Sequence, residues 1–204
     1  DLFNKFRGLH KNVYLMRSST INQSDILPAF RDTCQKPPYR ILTVAVVTPH
    51  KGTSLIPEII AHLRNSGIQV TWKYIGYTEG NSGQMELDKT KKLAEDLDVQ
   101  QYLSFEHTKG FDELLPLYRE SDIFVLPTYM EGVPRVILEA QASGLPVITT
   151  KVGGIPGAVE NGVDAIITRP GDAIELVNAI QRVILDIELR VNLIKNGIIK
   201  AKKN

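Results

Sequence analysis

A single cysteine in 204 residues leaves no partner for a disulfide within the chain and no thiolate cluster for a metal. Cys34 is therefore expected as an inert thiol in a linker. An excess of charge of either sign is also missing: 24 Lys and Arg face 23 Asp and Glu, and no long basic run is present. Nucleic acid is not an expected partner of so balanced a chain. No stretch approaches the roughly 20 apolar residues of a membrane span. No set of His, Cys, Asp and Glu has the spacing of metal ligands. The chain opens Asp1-Leu2-Phe3, with neither an initiator Met nor a signal-peptide pattern, so the expectation is a piece of something longer. What is there suits a globular protein: 43% hydrophobic residues and a length that fits one large domain, or one domain and a fragment of another.

Two textures follow one another. Residues 1–38 hold one short apolar run, Val13-Tyr14-Leu15-Met16, then a polar stretch, and close on Lys36-Pro37-Pro38, which reads as a linker. Residues 39–204 alternate short apolar runs with longer amphipathic ones. Strands are expected at Ile41–Val47, Val70–Ile75, Tyr102–Phe105, Ile123–Leu126, Val147–Thr149 and Ala165–Thr168, most of them without period-two alternation and hence buried on both faces. Helices are expected at Ser54–Asn65, Leu87–Leu97, Asp112–Glu120, Arg135–Ser143, Asp172–Asp186 and Ile187–Ala201. Strand and helix in such alternation predict a doubly wound, Rossmann-like parallel α/β sheet, and ligands of such sheets bind beyond the carboxyl ends of the strands.

One post-strand segment carries two acids. Glu131 and Glu139 are separated by the seven residues Gly132-Val133-Pro134-Arg135-Val136-Ile137-Leu138. Gly132 and Pro134 mark a helix start, where a missing N–H costs nothing and the first-turn N–H groups form an anion site. Eight residues at about 100° each bring the acids within roughly 80° of one another if the helix begins that early. Taken alone, the pair reads as two surface glutamates on a solvated helix. The neighbours change that reading: Leu126-Pro127-Thr128 before, Ala140-Gln141-Ala142-Ser143-Gly144-Leu145-Pro146 after, then Val152-Gly153-Gly154-Ile155-Pro156 and Glu160-Asn161-Gly162.

With these residues the chain resembles the carboxyl-terminal half of a GT-B glycosyltransferase of the retaining group called glycosyltransferase family 4, whose signature is the E-x7-E motif. The likeness runs from about Arg40 to Ala201 and is most specific over residues 122–162. It implies that Glu131 addresses the hydroxyls of a donor sugar and that Glu139 grips both ribose hydroxyls of a nucleotide. The backbone around Gly132, Val133, Arg135 and Val136 would then face sugar or phosphate oxygens. Lys51, in the loop Thr48-Pro49-His50-Lys51-Gly52, would neutralise the departing diphosphate. His107, after the third strand, stands where the family holds the nucleobase, although as a lone residue it also reads as a surface histidine. Gly153 and Gly154 are either substrate contacts or a plain strand-to-helix turn.

The resemblance further implies carbohydrate biosynthesis from a nucleotide diphosphate sugar, with no cofactor and no metal required, and no assured protein nucleophile. The acceptor, a glycan or a lipid-linked sugar, would bind through an amino-terminal domain of which residues 1–38 are the end and the linker. The implied setting is cytoplasmic, with peripheral contact at the inner face of a membrane. Three places depart from the family pattern: Ala45-Val46 replaces its Gly-Arg, Glu106 replaces a Gly, and Gly157 replaces a Glu. Arg135 is the nearest replacement cation in sequence. A non-catalytic nucleotide-binding module and a nucleotide-sugar epimerase of the same fold stay open as alternatives.

Overall fold

A computed structural model describes residues 21–27 and 30–203; the run Val13–Met16 lies outside them. Six parallel strands form one sheet: β1 (Tyr39–Val44), β2 (Val70–Ile75), β3 (Leu103–Glu106), β4 (Ile123–Leu126), β5 (Val147–Thr150) and β6 (Ile166–Thr168). Their spatial order is β3-β2-β1-β4-β5-β6, the doubly wound arrangement expected from the alternation of elements. The helices are α1 (Ile56–Asn65), α2 (Gly80–Asp96), α3 (Phe111–Glu120), α4 (Arg135–Ala142), α5 (Ile155–Ala158), α6 (Ala173–Leu185) and α7 (Ile187–Ala201). Among the described residues no helix is long and apolar enough to cross a membrane.

Alternate strand residues feed two cores. Ile41, Trp72, Tyr74 and Val125 pack on α1 through Ile56, Ile59, Ile60 and Leu63, and on α6 through Leu176, Ile180 and Val183. Leu42, Phe124, Leu126 and Val147 pack on Leu114 and Tyr118 of α3 and on Ile137 and Ala140 of α4. Both faces are dry, so the strands read as continuous apolar runs.

Two elements differ from expectation for reasons that lie far along the chain. β1 stops at Val44, before Val47, and beyond it Val47 makes only an isolated bridge to Thr78. A β-carbon on Gly76 would stand 1.8 Å from Ala45 O, so the loops after β1 and β2 touch backbone to backbone there. α2 starts at Gly80 and not at Leu87: Gly83 places its missing β-carbon 2.5 Å from Val47 O, a contact that overrides poor helix propensity. The one-turn helix α5 is too short to carry a periodic pattern, so the sequence marks only the Gly153-Gly154 turn that leads into it.

The described residues before Tyr39 are bound to this domain. Ile26 enters a third cluster with Ala142, Ile194, Ile198 and Ala201, and Leu27 N–H donates to Ala142 O at the end of α4 (2.8 Å). Cys34 is buried in the first core, its N–H donating to Asp122 Oδ1 at 3.2 Å; burial pushes its thiol up to about 11, so it is protonated at neutral pH. Arg190 of α7, 3% exposed, donates to Asp32 through Nε (2.9 Å) and Nη2 (3.3 Å) and to the carbonyls of Val183 and Ile184 through Nη1.

That guanidinium has its counter-charge from one residue of the amino-terminal segment. Asp32→Ala leaves a buried cation without it and is expected to lower unfolding free energy by about 3 kcal/mol, the lower end for a broken buried pair because water reaches Asp32. Urea unfolding of the two chains measures this; a change under about 0.5 kcal/mol would mean that solvent replaces the carboxylate.

Candidate functional site

The strand order reverses between β1 and β4, and the loops leaving those strands face each other across the resulting crevice. The β1 loop turns through a short 3-10 segment, Pro49–Lys51, which ends on Gly52 in the left-handed conformation (φ 67°). A side chain there would place its β-carbon 2.0 Å from Pro127 O, so glycine is required both by dihedral and by contact. Thr128, fully buried, has its hydroxyl 2.9 Å from both His50 O and Met130 O, and Tyr129 N–H donates to His50 O at 2.7 Å. These contacts seam the two loops together. They bring Lys51 Nζ to 2.6 Å from Glu131 Oε1 and 3.4 Å from Met130 O. Both side chains of that ion pair are mostly buried, at 20% and 14% exposure.

A third loop, after β5, locks Glu131 from the other side. Thr150 hydroxyl donates to Thr128 O, and Gly154 N–H donates to Gly132 O at 2.9 Å. Gly153 is left-handed (φ 49°), and its missing β-carbon would stand 1.7 Å from Glu131 O; that of Gly154 would stand 2.2 Å from Gly132 O. Close packing against the backbone of Glu131 and Gly132 thus accounts for both glycines. Gly132 differs: a β-carbon on it would meet nothing within 4 Å, so no packing contact calls for a glycine there.

α4 begins at Arg135 behind Pro134, with no side-chain cap on its first turn. Glu131 therefore lies in the loop, and helical periodicity does not relate it to Glu139. Val133 and Arg135 are exposed and Val136 is half-buried. Glu139 is 8% exposed, on the side of α4 that meets α3, where Tyr118 hydroxyl donates to its Oε2 at 3.0 Å. A more open position was expected of it. His107 is exposed after β3, and no hydrogen bond or ion pair among the described residues joins it to Lys51 or Glu131. Its neighbour Glu106 is gripped by Lys73 (2.8 Å) and Lys109 (3.2 Å), and the bond from Lys73 leads in holding its carboxyl below the usual range. Among the described residues no group of three or more His, Cys, Asp or Glu is placed to hold a metal ion.

Sequence reasoning brought Lys51, Glu131 and the two glycines to one place but missed Thr128 and Tyr118. Thr128 follows a buried strand as many core threonines do. Tyr118 occupies an apolar position of α3, so periodicity reads it as core; only its hydroxyl at a buried site signals more.

Residues 30–200 match the family model described as glycosyl transferases group 1. The D-inositol 3-phosphate glycosyltransferase of Corynebacterium jeikeium is 33% identical over 143 residues, which are 69% of this chain and 34% of that protein. The amylovoran biosynthesis glycosyltransferase AmsK of Erwinia amylovora is 33% identical over 142 residues, 67% of this chain and 33% of that protein. The chain thus spans about a third of the length of these relatives. Anabaena Alr3699/HepE, solved in complex with UDP-glucose, superimposes with a TM-score of 0.76 at 24% identity, covering 82% of this chain and 44% of that one. The carboxyl-terminal domain of a glycosyl transferase group 1 protein (LpcC) from Francisella tularensis gives a TM-score of 0.76 at 21% identity, covering 90% of this chain and 97% of that domain.

The contact geometry separates the glycines. Gly153→Ala combines a left-handed residue with a collision on Glu131 O and is expected to cost about 2 kcal/mol or more. Gly157→Ala, in α5 with nothing within 4 Å, is expected to be neutral or to stabilise by about 0.5 kcal/mol. Thermal melts of both variants check the contrast; equal melting temperatures would contradict the close approach.

Proposed function

Because the chain belongs to the group 1 glycosyl transferases, we propose that it is the donor-binding half of a retaining enzyme that moves a sugar from a nucleotide diphosphate sugar to an acceptor hydroxyl. The observation that carries this reading is the Lys51–Glu131 pair, 2.6 Å long, at the switch point of the sheet. It sets one cation and one anion side by side where a ligand needs both: the ammonium for a diphosphate, the carboxylate for sugar hydroxyls.

In this proposal the diphosphate lies between Lys51 and the uncapped first turn of α4, whose Arg135 and Val136 N–H groups and positive end favour an anion. Loss of the diphosphate builds negative charge on it, and Lys51, already oriented by Glu131, stabilises that charge without a metal. Glu131 accepts from hydroxyls of the transferred sugar. It is not a nucleophile: retention follows from departure and attack on the same face. Glu139 accepts from the two ribose hydroxyls, and the loop carrying His107 borders the nucleobase. Gly153 and Gly154 serve by holding the Glu131 loop, and Gly132 by leaving room beside it.

We propose that the chain is one of the E-x7-E transferases of glycosyltransferase family 4, a reading that the spacing of Glu131 and Glu139 supports. We further propose a preceding domain, ending with residues 1–38, that binds a glycan or lipid-linked acceptor. A cytoplasmic reaction at the inner face of a membrane suits that acceptor and a nucleotide-sugar donor. UDP is the first nucleotide to test, since Alr3699/HepE was solved with UDP and with UDP-glucose.

Calorimetry with UDP, GDP and ADP tests the reading directly. Lys51→Ala is expected to weaken nucleoside diphosphate binding about 10-fold to 100-fold, as for a lost charge-assisted hydrogen bond, and to leave the parent nucleoside unaffected. Glu131→Ala is expected to keep diphosphate affinity within about threefold while abolishing transfer in a full-length parent. Loss of nucleoside and diphosphate binding together in either variant would make the pair a structural one.

A second reading, a binding module without transfer, is favoured by one observation: Val46 stands where the family pattern has an arginine. Val46 lies past the end of β1, half-buried, with its carbonyl accepting from Tyr74 hydroxyl at 3.1 Å. A guanidinium can leave such a loop position without entering the core. Val46→Arg is therefore expected to keep the melting temperature and to tighten diphosphate binding more than monophosphate binding. Unchanged affinity with a preserved melting temperature would favour the module.

A further inference from the structure

A carboxylate that is 8% exposed needs donors, because an ionised group out of water is costly unless it is hydrogen-bonded. Glu139 has one from across the interface of α3 and α4. Tyr118 of α3 is fully buried, and its ring lies against Phe124 of β4, centroids 5.8 Å apart and planes tilted by 48°. Burial on all sides, of which Phe124 is one contact, fixes the ring, and its hydroxyl donates to Glu139 Oε2 at 3.0 Å.

This pair is an odd choice for packing alone. Leu114, Phe124, Ile137 and Ala140 surround the same layer with apolar groups, and a Phe at 118 facing an aliphatic residue at 139 would fill it without burying two polar groups. Replacing such a buried polar pair by apolar groups of like shape is commonly neutral or stabilising. The arrangement does something an apolar pair does not: it ties one carboxylate oxygen to a rigid ring and so fixes the plane of the carboxylate.

We infer that Tyr118 is the positioning residue of the nucleotide site, its hydroxyl holding the Glu139 carboxylate in the orientation from which it accepts the two ribose hydroxyls. This rests on the reading of Glu139 given under Proposed function. Burial first, and the Glu139 charge second, push the phenol well above its ordinary range, so it is a protonated donor at neutral pH. A carboxylate has acceptor sites for about four hydrogen bonds, so the phenol takes one of them.

The test is discrimination between a ribonucleotide and its 2′-deoxy counterpart, which a merely structural residue would not alter. UDP, GDP and ADP, each beside its 2′-deoxy form, are titrated into the wild-type chain, Tyr118→Phe, Glu139→Gln, the double variant and Phe124→Leu, with melting temperatures recorded. Wild type is expected to prefer the ribo form about 10-fold or more, as for a hydrogen bond to a charged group. Tyr118→Phe, which keeps the ring, is expected to cut that preference at least about threefold, to a level between wild type and Glu139→Gln. The double variant is expected to discriminate no less than Glu139→Gln alone, since Tyr118 acts through Glu139. Phe124→Leu disturbs the ring contact without removing the hydroxyl, and is expected to lower the melting temperature and keep the preference. An unchanged preference in Tyr118→Phe, with Glu139→Gln diminished, overturns the positioning role and leaves the ribose assignment standing. Undiminished preference in Glu139→Gln overturns that assignment itself, and the positioning role with it. A preference lost equally in Phe124→Leu assigns the effect to packing and overturns the role of the hydroxyl.

Discussion

A carbonyl oxygen 1.7 Å from where a β-carbon would stand leaves room for hydrogen alone. Gly153 meets Glu131 O in this way, Gly52 meets Pro127 O at 2.0 Å, and Gly76 meets Ala45 O at 1.8 Å. All three contacts lie at the carboxyl edge of the sheet, between loops that leave different strands. Loops that touch backbone to backbone have few alternative positions, because any side chain or water between them would have to displace a main chain. The Lys51–Glu131 pair depends on this constraint more than on its own attraction. A flexible lysine and glutamate on free loops gain little from pairing in water, whereas here the backbone has already set their distance. Thr128, dry and within hydrogen-bonding distance of both His50 O and Met130 O, plays the same part with a hydroxyl.

The fold was legible in the sequence where the signal is local. β2 and β4 occupy the expected residues, as does α7, because each is a run of suitable side chains with its stop written beside it. The alternation of strand and helix gave the class of sheet. Legibility ended where contacts distant in sequence decide. Val47 looks like a strand residue and makes only a bridge, since the loop after β2 presses on the β1 loop two residues earlier. Gly80 and Gly83 look like turn residues and are helical, since only a glycine at 83 lets α2 approach Val47 O. Asp32, in a segment read as a linker, ends up beside a buried arginine 158 residues away.

The site divides along the same line. Residue type and spacing singled out Glu131 and Glu139, and the family resemblance added Lys51 and the Gly153-Gly154 turn. What those residues touch was not visible. Whether a glycine faces a ligand or a neighbouring carbonyl depends on the packing of two loops, and the two possibilities have the same sequence. The opposite answers for Gly132 and Gly153, one in open space and one against Glu131 O, show how little the residue name decides. Glu139 makes the same point: helical phase fixes its face, but only the placement of α3 reveals a buried phenol on it.

The seam between the two halves of the sheet has a consequence for folding order. β1 runs in register with β2 over all six of its residues, but with β4 through only two pairs, Ile41↔Ile123 and Leu42↔Phe124. Lys51 lies in the first half and Glu131 in the second, 80 residues apart. Closing so long a separation is the entropically late step of such a topology, since local pairings form first. The crevice therefore does not exist in any state where only one half is folded, however complete that half may be. A ligand that touches both loops binds the docked state alone and draws the equilibrium toward it in proportion to its concentration over its dissociation constant. Occupancy of the crevice is in this sense a report that the chain has finished folding.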